Sequence, residues 1–231
     1  MDLALTPAEI DALLISLRVS AFATLFGVPL AIAVAFALAR FRFPGHGILN
    51  VIVHLPLVLP PVVTGYLLLL TLGRKAPLGS TLESCCGIVF SFRWTGAALA
   101  AGVMAFPLIV RAIRLSLESI DPRLEQAAQT LGAKPIWVFL TVTLPLALPG
   151  IVAGAILGFA KALGEFGATI TFVSNIPGET QTLPSAIYAY TQIPNGDGPA
   201  FRLVIIAIII SAGALFASEA LASRIKSRIT A

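Results

Sequence analysis

One carboxylate set among glycines at the end of an apolar stretch marks where this chain could do chemistry. Glu165 stands in Gly164-Glu165-Phe166-Gly167, and Thr169, Thr171, Ser174 and Asn175 come soon after. An ionisable group at membrane depth costs about 3 kcal/mol to keep charged, so it is a functional candidate by default. Lys161 lies one helical turn earlier, and a local ion pair is the competing reading. A carboxylate repels anions, so a structural or gating role suits Glu165 better than contact with a negatively charged substrate. The hydroxyls and the amide after it suit a hydrogen-bonding rim. The apolar run 168–173 is too short to cross a bilayer, and Leu183, Ile187 and Tyr190 after Pro184 predict a further short helix at the outer face.

A second candidate is the run 54–68, HLPLVLPPVVTGYLL. Pro56, Pro60 and Pro61 remove backbone donors and kink or break a helix. The freed carbonyls need a cavity or a neighbouring helix to satisfy them. A bent helix beside a substrate route and a kinked structural span both fit.

Catalytic constellations are missing from the sequence. It has no G-x-x-x-x-G-K-[ST] loop to cradle phosphates, no HExxH, and no Ser/His/Asp or Cys/His set. His46 and His54 read as interfacial side chains. Adjacent Cys85 and Cys86 would close a strained ring and lack metal-ligand spacing, so they read as incidental. The sequence therefore offers no ATP-hydrolysing site of its own, and any such step would have to sit on a partner.

Residues 121–132 read as a short helix in a loop. Asp121 is a suitable N-cap, Pro122 suits the first turn, and Gly132 suits a left-handed stop. Leu124, Ala127/Ala128 and Leu131 form one apolar stripe among Glu125, Gln126 and Gln129. A helix of small residues has no core of its own to fill, and its pattern favours a groove of another protein slightly over the membrane surface. An interfacial amphipathic helix would want larger anchors and Lys-rich flanks.

These segments must be positioned by membrane helices. The chain is 58% hydrophobic and 11% charged, with a mean hydropathy of +0.96, outside the range of soluble domains. Charge-poor stretches predict five spans near 12–38, 48–71, 95–113, 143–163 and 201–222, joined into one transmembrane domain over 1–231 with a cytoplasmic loop at 114–142. Basic residues cluster at 39–47 (Arg40, Arg42), at 111–135 (Arg111, Arg114, Arg123, Lys134) and at the C-terminus (Arg224, Lys226, Arg228). The opposite side has Arg74, Lys75 and Arg93, with Lys161 at an edge. The positive-inside rule then places the N-terminus outside and the C-terminus inside. No Lys or Arg precedes Arg18, and the first apolar run is too long for a signal core, so this segment reads as a retained span. Arg18 reads as a snorkelling side chain near its outer end. The net charge of +4 arises from the cytoplasmic loops and calls for no nucleic acid.

Residues 124–150 resemble the cytoplasmic signature loop of importer-type permeases of prokaryotic ABC transporters. That pattern runs Glu-Ala-Ala, three residues, Gly, nine residues, Ile, one residue, Leu-Pro. Ala127-Ala128, Gly132, Leu144 and Pro145 match at the family spacing. Gln126 stands where Glu is usual, Val142 stands for Ile, and Glu125 is one residue early. FPG at 43–45, HLPLVLPPVVTGYLLL, FPLIVRAIRLSLE, LEQAAQTLGA and GEFGATITFVSNIPGETQTLPSAIY extend the likeness over about 10–222. Across that length the chain is similar to the molybdate ABC-transporter permease subunits, and shares Glu-Phe-Gly with the sulfate and thiosulfate branch.

The resemblance implies an all-α permease of the ABC type I importer fold in the bacterial inner membrane, with a second copy of itself forming the path. It implies two cytoplasmic ABC ATPase subunits that use ATP and Mg, and a periplasmic or extracellular oxyanion-binding protein. No cofactor is implied for this chain itself. Glu125, Gln126, Ala127, Ala128, Leu131, Gly132, Leu144 and Pro145 would couple to the ATPase. Pro56, Pro60, Pro61, Glu165, Phe166, Gly167, Thr169, Ser174 and Asn175 are the candidates for path or gate. A sulfate or thiosulfate permease is the nearest alternative. An ion-driven secondary transporter would be expected to show two related halves, and none stands out.

Overall fold

The computed structural model describes residues 5–230, apart from the side chains of 218, 219 and 222–230. Residues 1–4 and the side chains of Arg224, Lys226 and Arg228 lie outside the described part. The described residues form eleven α-helices and one π-helical turn, without strands. In chain order the helices are α1 (Pro7–Arg40), α2 (His46–Val58), α3 (Pro61–Leu72), α4 (Pro77–Cys86), α5 (Trp94–Glu118), α6 (Pro122–Thr130), α7 (Pro135–Val138), α8 (Leu144–Leu163), α9 (Gly167–Val173), α10 (Leu183–Thr191) and α11 (Asp197–Thr230). The π turn, Phe139–Thr143, joins α7 to α8.

Local chemistry explains the boundaries. A capping box starts α1: Thr6 N donates to Glu9 Oε2 at 2.6 Å and Glu9 N donates to Thr6 Oγ1, with Pro7 in the first turn. The helix ends at Arg40, and Gly45 at φ +93° turns the chain into α2. A second box, Thr182 with Ser185, starts α10.

Four helical runs are long and apolar enough to cross a membrane: Pro7–Arg40, Trp94–Glu118, Pro135–Leu163 and Asp197–Ala217. They cover four of the five expected spans. The fifth, 48–71, is two helices meeting at 116° rather than one crossing rod. The break falls at Leu59-Pro60-Pro61, where Pro60 caps α3 and Pro61 opens it. Pro56 does not break anything: α2 continues through it to Val58. The expected loop 114–142 is also mostly helical. α5 runs on to Glu118, and α7, the π turn and α8 make one run from Pro135.

α5 is the central helix, with 61% of its apolar window buried against 22% for α1 and 11% for α11. Its Ala97, Ala98, Ala100, Ala101 and Ala105 let α1, α8 and α9 approach closely. The α5–α8 seam depends on glycines at four-residue spacing. A Cβ at Gly150 would lie 2.2 Å from Ser116 Cβ, and one at Gly158 would lie 2.5 Å from the Ile109 side chain. Gly154 sits between them, against the Ile109 carbonyl. Small residues at such spacing let membrane helices touch backbone to backbone, where lipid gives no hydrophobic drive for association.

At the other end, α1 is tied to α10 and α11. Glu9 is wholly buried and pairs with Arg202 at 2.9 Å, while Leu183 N donates to Ser16 Oγ. Arg18 is not merely snorkelling: its guanidinium lies 3.6 Å over the Trp94 ring at the start of α5.

Candidate functional site

The candidate residues fall into two groups at different places in the fold. The first is α6. Asp121 caps it by accepting from Arg123 N at 2.9 Å, and Pro122 opens it. At the other end Gly132, at φ +87°, closes a Schellman turn: Ala133 N donates to Ala128 O and Gly132 N donates to Gln129 O. No residue of α6 is buried, and Leu131 is 89% exposed. The stripe of Leu124, Ala127, Ala128 and Leu131 is therefore left without a full partner in this chain. Ile136 and Trp137, in the following α7, are exposed as well.

The polar residues of α6 divide by direction. Gln126 is exposed. Glu125 turns inward, accepts from Arg40 at 3.0 Å at the end of α1, and accepts from Thr143 Oγ1 at 2.8 Å in the π turn. Arg40 also reaches the Ile120 carbonyl. Leu144 and Pro145 come directly after. Pro145 has no N–H for the Thr141 carbonyl, and Leu144 N instead donates five residues back to Phe139 O. The turn is thus wound wide where Glu125 grips it, and Leu144 is half-buried while Pro145 is exposed.

The second group lies beyond the far end of α8. Glu165 is 2% exposed, pairs with Lys161 at 2.9 Å, and accepts from Ala168 N at 3.1 Å. It is thereby the anion at the start of α9, satisfied on both sides. Of the two sequence readings, the local ion pair is the one the geometry contains. Thr169, expected in a polar rim, is buried instead. Its hydroxyl donates back to Phe166 O at 2.9 Å, so it offers nothing outward. Phe166 stacks at a tilt on Tyr188 of α10. Ser174 is exposed, with φ +67° and ψ −164°, a region that side chains avoid. The Asn175 Oδ1 is buried without a partner. Thr180 holds this turn by accepting from Ile176 N.

The proline break and the Gly-Glu-Phe-Gly turn meet. A Cβ at Gly167 would lie 2.8 Å from Pro61 Cβ, and one at Gly65 would lie 2.5 Å from the Ala168 carbonyl. α3 thus packs on α9 almost backbone to backbone. Pro56 does not join this contact; it lines an apolar groove of about 610 Å³ with Phe22, Phe26 and Phe106. His46 and His54 rings bond the carbonyls of Leu38 and Asn50. Cys85 and Cys86 are free thiols with sulfurs 2.9 Å apart.

Sequence reasoning misses two partners of Glu125. Arg40 reads only as a loop charge and Thr143 gives no signal, because contacts across 85 and 18 residues leave no local pattern. The Gly150/Gly154/Gly158 spacing, by contrast, is a local signal open to a direct reading.

Comparison with known proteins agrees with this architecture. Residues 27–227 match the model of the family described as "Binding-protein-dependent transport system inner membrane component". The chain is 57% identical over 218 residues to the molybdenum transport system permease protein ModB of Escherichia coli K12, covering 94% of this chain and 95% of that protein. It is 55% identical over 221 residues to ModB of Haemophilus influenzae, covering 96% of each. Among solved structures it resembles a chain of the inward-facing MetNI methionine ABC transporter at a TM-score of 0.72 and 19% identity, covering 94% of this chain and 95% of that one. A bacterial alginate ABC transporter chain matches at 0.70 and 20% identity, over 98% and 82%. At those identities the likeness is one of fold, that of ABC importer membrane subunits. The apolar crossing helices, the α6 loop and the sequence match together place the chain among the binding-protein-dependent transport system inner membrane components.

Proposed function

We propose that this chain is the permease subunit of an ATP-driven importer of molybdate, with tungstate as a near-identical alternative cargo. The observation that carries the reading is α6, a capped helix whose apolar stripe is left outward while Glu125 locks its inner side to α1 and α8. The choice of cargo is supported by the ModB relatives.

In this reading α6 faces the cytoplasm and the N-terminus lies outside. The stripe seats in a groove of a separate ABC ATPase, which supplies ATP hydrolysis with Mg²⁺; this chain's sequence has no phosphate-cradling loop of its own. Two copies of the chain enclose the path, and an oxyanion-binding protein delivers cargo from outside. Movement of α6 is passed to α1 through Arg40 and to α8 through Thr143. At its far end α8 carries the Lys161–Glu165 pair and the α9 turn packed on α3. A rigid-body tilt of α8 would therefore shift the α3–α9 contact, a two-state coupling of both ends of the subunit.

The test is uptake in cells lacking this gene, with trace molybdate and excess sulfate as competitor. Accumulation is expected to be lost and restored only when this chain and its ATPase are both supplied. Uptake that returns without the ATPase overturns the importer reading, and uptake abolished by competing sulfate reassigns the cargo.

A further inference from the structure

Between the end of α3 and the start of α5 lies an open cavity of about 660 Å³. Arg74, Lys75 and Arg93 line it, together with Ser91 and the apolar side chains of Leu69 and Val89. Ser91 is 4% exposed, and its Oγ has no hydrogen-bond partner. A buried hydroxyl left unpaired has lost its hydration without compensation, so one persisting beside a cavity points to a missing acceptor. Phe92, next to it, holds φ +60°, which fixes the loop in a bent form.

The charges are unbalanced. Glu83 pairs with Arg74 at 2.7 Å, and hydrogen bonding from that guanidinium holds its carboxyl below the usual glutamate range, so it stays ionised. Neither Lys75 nor Arg93 has a carboxylate within ion-pair distance among the described residues. Three cations against one carboxylate leave two positive charges around the cavity. Single-sign charge in a walled recess raises the local concentration of counter-ions.

We infer that this cavity is a low-affinity site for a tetrahedral oxyanion dianion, with Lys75 and Arg93 supplying charge and the Ser91 hydroxyl donating one hydrogen bond. The inference rests on the orientation proposed above, which puts this loop on the outer side, where cargo arrives. It would hold an anion at the entrance before the path opens. The same chemistry fits the phosphate of a lipid headgroup, and the test separates the two sources.

The assembled transporter is placed in phosphatidylcholine nanodiscs, and binding of radiolabelled molybdate is measured without the binding protein. Saturable binding is expected, weakened about tenfold or more in the Lys75→Gln/Arg93→Gln double variant and severalfold in Ser91→Ala. It should also weaken severalfold at high salt, since the cations are exposed. Both cationic positions are at the surface, so the double variant should keep its normal size and basal ATPase rate. If molybdate shows no saturable binding while soluble short-chain phosphatidylglycerol binds in a manner dependent on Lys75 and Arg93, the site belongs to a headgroup. Equal binding of both probes to wild type and double variant overturns the proposal. So does a double variant whose only defect is weaker docking of the binding protein. The gene-deletion uptake experiment judges the importer reading independently of any of these results.

Discussion

The Glu125 carboxylate and the Arg40 guanidinium, 85 residues apart, meet at 3.0 Å behind α6, and both side chains are more than four-fifths buried. Glu125 also takes the Thr143 hydroxyl. One carboxylate therefore joins three elements: the loop helix, the end of α1 and the wide turn that starts α8. Gln126, at the position where the family pattern has its Glu, points away from this junction.

That division predicts unequal mutants. Glu125→Ala leaves Arg40 buried without its anion and should cost about 1.5–3 kcal/mol locally. Uptake should fall at least tenfold, with ATPase activity no longer stimulated by loaded binding protein. Gln126→Ala should change uptake less than threefold. The exchange Arg40→Glu/Glu125→Arg should recover part of the loss, which a simple folding defect would not. Paired uptake and ATPase assays on the variants check this, and equal effects at 125 and 126 would sink the assignment of Glu125 as the anchor.

How much is readable in the sequence depends on the range of the forces involved. The α6 boundaries come from Asp121, Pro122 and Gly132, all local signals, and the structure places them as expected. The long apolar runs give four crossing helices for the same reason. The bend at Pro60-Pro61 is visible as a break but not as a turn of 116°, because its angle is set by α3 packing on α9 through Gly65 and Gly167. Thr169 is misplaced from sequence because a hydroxyl on a short helix can satisfy itself on the preceding turn, and residue type cannot reveal that.

The α5–α8 seam makes a graded prediction. At Gly150 a methyl group would meet Ser116 Cβ at 2.2 Å and the Ala112 carbonyl at 3.0 Å, so the helices themselves must separate. At Gly158 the obstacle is the Ile109 side chain, which can change rotamer. Gly150→Ala is expected to be the harsher substitution, by about 1–3 kcal/mol for overpacking, with Gly158→Ala partly tolerated. Yield of folded protein in detergent and the midpoint of thermal aggregation would read this, and the reverse order would refute the seam geometry.

The adjacent thiols allow a chemical check on the outer loop. The hydrogen bond to Cys85 pushes the Cys86 thiol above its ordinary value, with burial adding to the effect. A raised value means less thiolate at a given pH, hence slower alkylation. In a Cys85→Ala variant, Cys86 should react with a maleimide severalfold faster at pH 8 than Cys86 does in wild type. The difference should fade as the pH rises past the wild-type value and both become thiolate. Identical rates across this range would show that the two sulfurs do not share a proton.

Ser174 carries the last prediction. Its φ of +67° with ψ of −164° lies in a region open essentially to glycine, at a cost of about 1–3 kcal/mol. The strain sits directly after α9, in the segment that α3 packs against and that Thr180 clamps. Ser174→Gly removes the strain without removing a buried contact, since Ser174 is exposed. The apparent Tm should rise by about 2–4 °C for a gain near 1 kcal/mol in a chain of this length. Gly178 is the control: its φ is +76° with open space around it, so Gly178→Ala should lower the Tm by a similar amount through backbone strain alone. If the strained turn poises α9 to move, Ser174→Gly should also reduce uptake while leaving basal ATP hydrolysis intact. A stabilised variant with unchanged uptake would make the turn a structural constraint, and opposite signs at 174 and 178 would still establish that the backbone there is held against its preference.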